Sequence, residues 1–186
     1  NLAEARAGRQ THPLSCEVGG FAKLPDLNEL KALRKRLVDA YADMDVVLGL
    51  FKTLKIPDFI RETEYIALSD AKEYAFINGQ IASSDAPAVS INDYPGITNE
   101  FCVPHSTAKY TKNKRDAYMV GALSRFNLNF KQLSSRARKV AKELGISAPC
   151  HNTYMITVAQ LVETYHVLDD SISLIDQILQ KGVKEE

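Results

Sequence analysis

The sequence predicts an α+β fold, mainly helical, with long helices packed together beside a small antiparallel sheet or hairpin. Two observations carry this prediction. Apolar residues recur every three or four positions over two long stretches and one shorter one. The pattern changes to strand-like runs only between residues 62 and 86.

The first long stripe is Leu30, Leu33, Leu37, Tyr41, Met44, Leu48 and Phe51, with Lys31, Arg34, Lys35 and Asp39 on the other side. It predicts an amphipathic helix over 26–55, ended by Pro57. Asp26 with Glu29 three residues on has the spacing of a capping box. Before it, Gly8, Pro13, Gly19, Gly20 and Pro25 make residues 1–25 irregular. The shorter stripe, Phe130, Leu133, Ala137, Val140, Ala141 and Leu144, predicts a helix after Asn127 that Gly145 caps. The second long stripe, from Met155 and Val158 to Ile175 and Leu179, predicts the longest helix, Thr153 to Gln180, with Thr153 as its cap. These two helices occupy 127–181.

Between the helices, Tyr65–Leu68 and Tyr74–Ile77 read as strands. Asn78–Gly79 supplies the positive φ angles of a type I′ turn, predicting a hairpin from Tyr74–Ile77 into Gln80–Ala82. Residues 62–118 are therefore a small β region with loops. Its polar second half, 87–118, is long enough to suggest that it lies against a partner or a site. No repeat divides the chain, so 1–186 reads as a single segment.

Composition removes several function classes. The 186 residues contain 23 basic and 23 acidic side chains, a balance that gives no field to hold a phosphate backbone. No apolar run is long enough to span a membrane. Cys16, Cys102 and Cys150 form no Cys-x-x-Cys pair and read as buried or half-buried reduced thiols of a cytoplasmic protein, not as metal ligands. The N-terminus has no signal-peptide core and no initiator Met, which suggests a piece of something longer.

Candidate chemistry is sparse. His12, beside Pro13 in a glycine-bounded loop, reads first as an ordinary loop histidine and second as a ligand or hydrogen-bond donor. His166, with Glu163 three residues before it, suits an exposed or capping role. Asp169, Asp170 and Asp176 read as a solvated helix face, as do Lys131, Arg136, Arg138, Lys139 and Lys142. In the block Tyr118 to Asn127, Gly121 permits an unusual φ and Arg125 is a planar donor suited to locking a carboxylate or carbonyls. These residues alone leave open a pinned loop-to-helix junction or a functional role.

Four stretches together resemble the large subunit of nickel–iron hydrogenases. Gly8-Arg9-Gln10-Thr11-His12-Pro13 with Val18-Gly19-Gly20 resembles the family's Gly-Gly-Arg/Lys-x-x-His-Pro element and its downstream Val-Gly-Gly. Pro104 to Lys109 resembles a His-Ser-x-x-Lys element of the cytoplasmic, cofactor-coupled branch. Tyr118 to Asn127 resembles Val-Gly-Pro-Leu-Ala-Arg-x-Asn, and Cys150-His151-Asn152 resembles Phe-His-Asn. Ala7, Ala122 and Ser124 depart from the family's Gly, Pro and Ala.

The family holds nickel and iron with two Cys-x-x-Cys pairs, absent here, so the resemblance implies a central segment. That segment would hold no cofactor and be inactive alone. The intact subunit would carry the nickel–iron centre, oxidise H2 or reduce protons, and work with a small iron–sulfur subunit and cofactor-reducing subunits. The resemblance sets His12 near the partner's iron–sulfur cluster. It makes Arg9, Gly121, Arg125 and Asn152 structural supports. Surface normally covered by missing parts should make the isolated chain self-associate. A quinone-site subunit of respiratory complex I and a non-catalytic binding module are the rival readings.

Overall fold

The computed structural model describes residues 4, 9, 11, 12, 14–21 and 24–182. It divides into two compact units, Asn1–Gly49 with Val167–Glu186, and Leu50–His166.

In the first unit, strands β1 (Cys16–Glu17) and β2 (Gly20–Phe21) pair antiparallel, with Gly19 at φ 92° in the turn. Helix α1 (Leu27–Phe51) begins where Asp26 Oδ1 accepts the amides of Asn28 and Glu29, at 2.8 and 2.9 Å. Leu30 and Leu33 of α1 pack with Ile175 of the last helix, flanked by Leu37, Ile178 and Leu179. Polar pairs tie the same two segments. Arg34 donates from Nε and Nη2 to the two Asp176 oxygens at 2.5 and 2.9 Å, and the Tyr41 hydroxyl donates to Asp169. Asp169 and Asp176 therefore clamp helices together, unlike the solvated face expected of them.

In the second unit, β3 (Glu64–Ser69) is the central strand of a three-stranded sheet. It pairs antiparallel with β4 (Gln80–Ser83), Ile66 opposite Ser83, and parallel with β7 (Tyr118–Met119), Glu64 opposite Tyr118. The sheet is mixed, not purely antiparallel. The expected strand Tyr74–Ile77 does not form. Tyr74 and Ala75 are successive residues and both are buried, 4 % and 0 % exposed, which an alternating strand does not allow. Gln80–Ser83 pairs with β3 instead, across a connection that turns at Asp70, whose Oδ1 accepts the amides of Lys72 and Glu73.

The long connection contains a 3-10 turn (Ile91–Asp93), the short helix α2 (Tyr94–Thr98) and a hairpin of β5 (Phe101–Val103) and β6 (Ser106–Tyr110). The helix expected after Asn127 is two helices, α3 (Ala122–Asn129) and α4 (Ser135–Glu143). The break comes at Ser134, whose side chain caps α4 by accepting the Ala137 amide at 3.2 Å. Gly145, at φ 70°, ends α4, where the Ile146 amide reaches the Ala141 carbonyl at 3.0 Å. After the cis Ala148–Pro149 bond, a 3-10 turn (Thr153–Met155) leads into α5 (Ile156–Lys181). Asn152, not Thr153, caps that turn by accepting the Tyr154 amide at 3.0 Å. The core holds Tyr65 and Ile66 from β3, Leu123 and Phe126 from α3, Val140 from α4, and Val158, Val162 and Tyr165 from α5.

Candidate functional site

The second unit gathers its polar side chains around α3. Gly121 precedes this helix at φ 85° and ψ −157°, backbone space essentially reserved for glycine. A Cβ there would meet only Ile156 Cδ1, at 3.7 Å, so conformation and not crowding demands the glycine. Its carbonyl accepts the Arg125 amide at 3.0 Å, starting α3. One helical turn beyond Gly121, the Arg125 side chain reaches α5.

Arg125 donates from Nε and Nη2 to the two oxygens of Glu163, at 2.7 and 2.9 Å. The Tyr74 hydroxyl donates to the same Glu163 Oε1 at 2.9 Å. The Arg125 side chain is 29 % exposed and that of Glu163 only 9 %. Parallel donation of this kind is the strong form of an arginine–carboxylate pair. The bonds to Glu163 raise the Arg125 pKa further. Burial first, then the Glu163 charge, pushes the Tyr74 phenol far above its usual range. Both donors, Arg125 and Tyr74, therefore keep their protons at neutral pH. The Phe76 ring lies 5.3 Å from the guanidinium, and Arg125 lines a cavity of about 270 Å³ with Ile66, Leu68, Phe76, Ile81 and Val120.

A second network joins the Tyr118–Asn127 block to the Cys150–Asn152 block. Asn127 Nδ2 donates to the Cys150 carbonyl at 3.0 Å and Asn127 Oδ1 accepts the Cys150 amide at 2.9 Å. The Tyr65 hydroxyl also donates to the Cys150 carbonyl, at 3.1 Å, and lies 3.2 Å from His151 Nδ1. Asn152 Nδ2 donates to the Pro57 carbonyl at 2.8 Å. Burial pushes the Cys150 thiol up. His166 is half-buried. Its Nδ1 accepts the amide of Ser134, the cap of α4, at 3.1 Å, and its ring centre lies 5.0 Å from that of Tyr74, tilted by 55°.

Glu64 is fully buried and fully engaged. Oε1 accepts from Ser83 Oγ and Asn113 Nδ2, both at 2.6 Å, and Oε2 accepts the Lys114 and Arg115 amides at 2.8 and 3.3 Å. Burial alone would raise its pKa, but these four donors together hold it below the usual carboxylate value. Arg115 further pairs with Asp85.

Gly121, Arg125 and Asn152 thus stand in one unit, while Arg9 and His12 belong to the other, both exposed, with His12 at φ 57°. Sequence reading missed Tyr74, Glu163 and Glu64 as network members. The one available signal was a carboxylate, Glu163, set among the apolar positions Leu161, Val162 and Tyr165 of α5. Cys102 on β5 is exposed, not buried as expected. Among the described residues no three His, Cys, Asp or Glu side chains converge as metal ligands. With one described thiol on the surface and the other beside a bonded backbone, these donors do not fit a nickel–iron centre. The site is a set of braces that ties together β3, α3, α5 and the 113–115 loop.

No family model matches the chain. Sulfhydrogenase 1 subunit alpha of Pyrococcus furiosus is 26 % identical over 182 residues, covering 97 % of this chain and 42 % of that protein. Sulfhydrogenase 2 subunit alpha of the same organism is 23 % identical over 185 residues, 98 % of this chain and 42 % of that protein. The crystal structure of an NAD+-reducing nickel–iron hydrogenase in the H2-reduced state matches 97 % of this chain and 45 % of its own, at TM-score 0.76 and 21 % identity. The chain spans less than half the length of these relatives. In sequence it is similar to hydrogenase large subunits, and it has the fold of the corresponding part of a hydrogenase chain.

Proposed function

We infer that residues 1–186 are one segment of the large subunit of a nickel–iron hydrogenase, and that their work there is to brace. The observation that carries this reading is sequence similarity to sulfhydrogenase alpha subunits along 97 % of the chain. The rigid Arg125–Glu163–Tyr74 group, the Asn127–Cys150 clamp and the positive φ of Gly121 suit a framework that must hold its shape around a reaction centre supplied from elsewhere. The resemblance assigns that centre to two Cys-x-x-Cys pairs outside these residues, so no reaction step is drawn through this chain. The intact subunit interconverts H2 with protons and electrons, in the cytoplasm, and passes electrons to an iron–sulfur small subunit and onward to cofactor-reducing subunits. His12 stands near the small subunit's cluster in this reading, and donation to cluster sulfur tunes its potential.

The test begins with the coding sequence around this chain, which should encode one Cys-x-x-Cys on each side. The encoded subunit, co-produced with its iron–sulfur partner, should bind nickel and reduce a viologen dye under H2. The 186-residue chain by itself should do neither. Flanking sequence without the cysteine pairs, or stoichiometric nickel in the isolated chain, would overturn the reading. In the loaded complex, His12→Gln should shift the potential of one cluster in a redox titration and leave the others unchanged.

A further inference from the structure

We propose that the outward face of α1 pairs antiparallel with the same face of a second copy of this chain. Residues four apart on a helix form a continuous ridge, advancing about 40° per step. One such ridge on α1 reads Lys31, Lys35, Asp39, Asp43: two positive charges, then two negative. All four are exposed, and none forms an ion pair with another described residue. The neighbouring ridge is Val38, Ala42, Val46, also exposed, with Val46 at 74 %. The opposite face of the helix, through Leu30, Leu33 and Leu37, is already used in the core of its own unit.

A plus-plus-minus-minus ladder is complementary to itself only when its partner runs the other way. About a two-fold axis outside α1 at the level of residue 37, Lys31 meets Asp43 of the second copy and Lys35 meets its Asp39, and symmetry repeats both pairs. A parallel partner would set like charges against each other, which is unfavourable. The Val38–Ala42–Val46 ridge then lies beside the ion pairs, covered by the aliphatic stems of the opposing Lys and Arg side chains. Exposed ion pairs are individually weak, so the pairing depends on concentration and salt.

Sedimentation equilibrium of the 186-residue chain tests this. The average mass should rise from one toward two chain masses with concentration at about 0.01 M salt. It should return to one at about 1 M salt, where the screening length falls from about 30 to about 3 Å. Lys31→Glu with Lys35→Glu makes the ladder wholly acidic, and Asp39→Lys with Asp43→Lys makes it wholly basic. Each variant alone should stay monomeric, and their equimolar mixture should pair. Lys139→Glu with Lys142→Glu, on exposed positions of α4, makes the same net charge change and should associate like the parent. Far-UV circular dichroism checks that each variant folds. The proposal fails if the parent is monomeric throughout, if either single-sign ladder still self-associates, if the mixture does not pair, or if the α4 control loses association.

Discussion

Replacing Glu163 with alanine removes the shared acceptor of Arg125 and Tyr74. The guanidinium keeps its charge, because no accessible pH neutralises it, and the Tyr74 hydroxyl is left in a pocket where it is 4 % exposed. Truncating one partner of a buried ion pair costs about 3–5 kcal/mol. Arg125 is 29 % exposed, so water recovers part of that cost, and the lower end, about 3 kcal/mol, is expected. With a urea slope of about 1–3 kcal/mol/M, the midpoint falls by about 1–3 M. The assay is urea unfolding followed by tyrosine fluorescence and far-UV circular dichroism. The combined Tyr74→Phe, Arg125→Met, Glu163→Leu chain should recover most of the loss, since an apolar set leaves nothing unpaired. A Glu163→Ala cost below about 1 kcal/mol, the worth of one ordinary hydrogen bond, would refute the reading of this trio as a brace.

Three further outcomes follow from the same geometry. Glu64 has a folded pKa held below the ordinary 4.5, so its contribution to stability is present above 4.5 and is lost as pH falls through the folded value. Glu64→Gln should be less stable at pH 7 and show a flatter acid limb in unfolding scans between about pH 5 and pH 2. Gly121→Ala forces a Cβ into φ 85°, ψ −157° and should cost about 1–3 kcal/mol, readable as a lower melting temperature, although the added methyl meets nothing closer than 3.7 Å. Asn127→Ala strands the amide and one bond of the carbonyl of Cys150 and should cost about 1–3 kcal/mol, with faster hydrogen exchange at that amide.

The helices were legible because their signals are local. The Asp26 cap, the Leu30–Leu33–Leu37 stripe and the Gly145 stop each act within a few residues. The strand misread at Tyr74–Ile77 shows the limit of that reading. Its aromatic, β-branched composition is strand-like, but Tyr74 is drawn inward by a carboxylate 89 residues away. Ser134 was missed for a different reason: its cap reaches only three residues, but it falls inside an unbroken apolar stripe, so one expected helix is two. Gly121 and Arg125 could be singled out in sequence as a special glycine and a capable donor. Glu163 as the acceptor, Glu64 inside its cage and Asn127 against Cys150 could not, since each pairing spans tens of residues and only the tertiary fold selects it.

The unequal surroundings of the two described thiols give the second unit an internal clock. Cys102 sits in the open on a hairpin strand, so an alkylating reagent reaches it without any opening of the fold. The Cys150 thiol is half-buried, burial disfavours its thiolate, and its backbone is held by Asn127, so it labels more slowly and gains from any motion that loosens that hold. The ratio of the two labelled peptides, read by mass spectrometry in one tube, reports how readily that corner loosens.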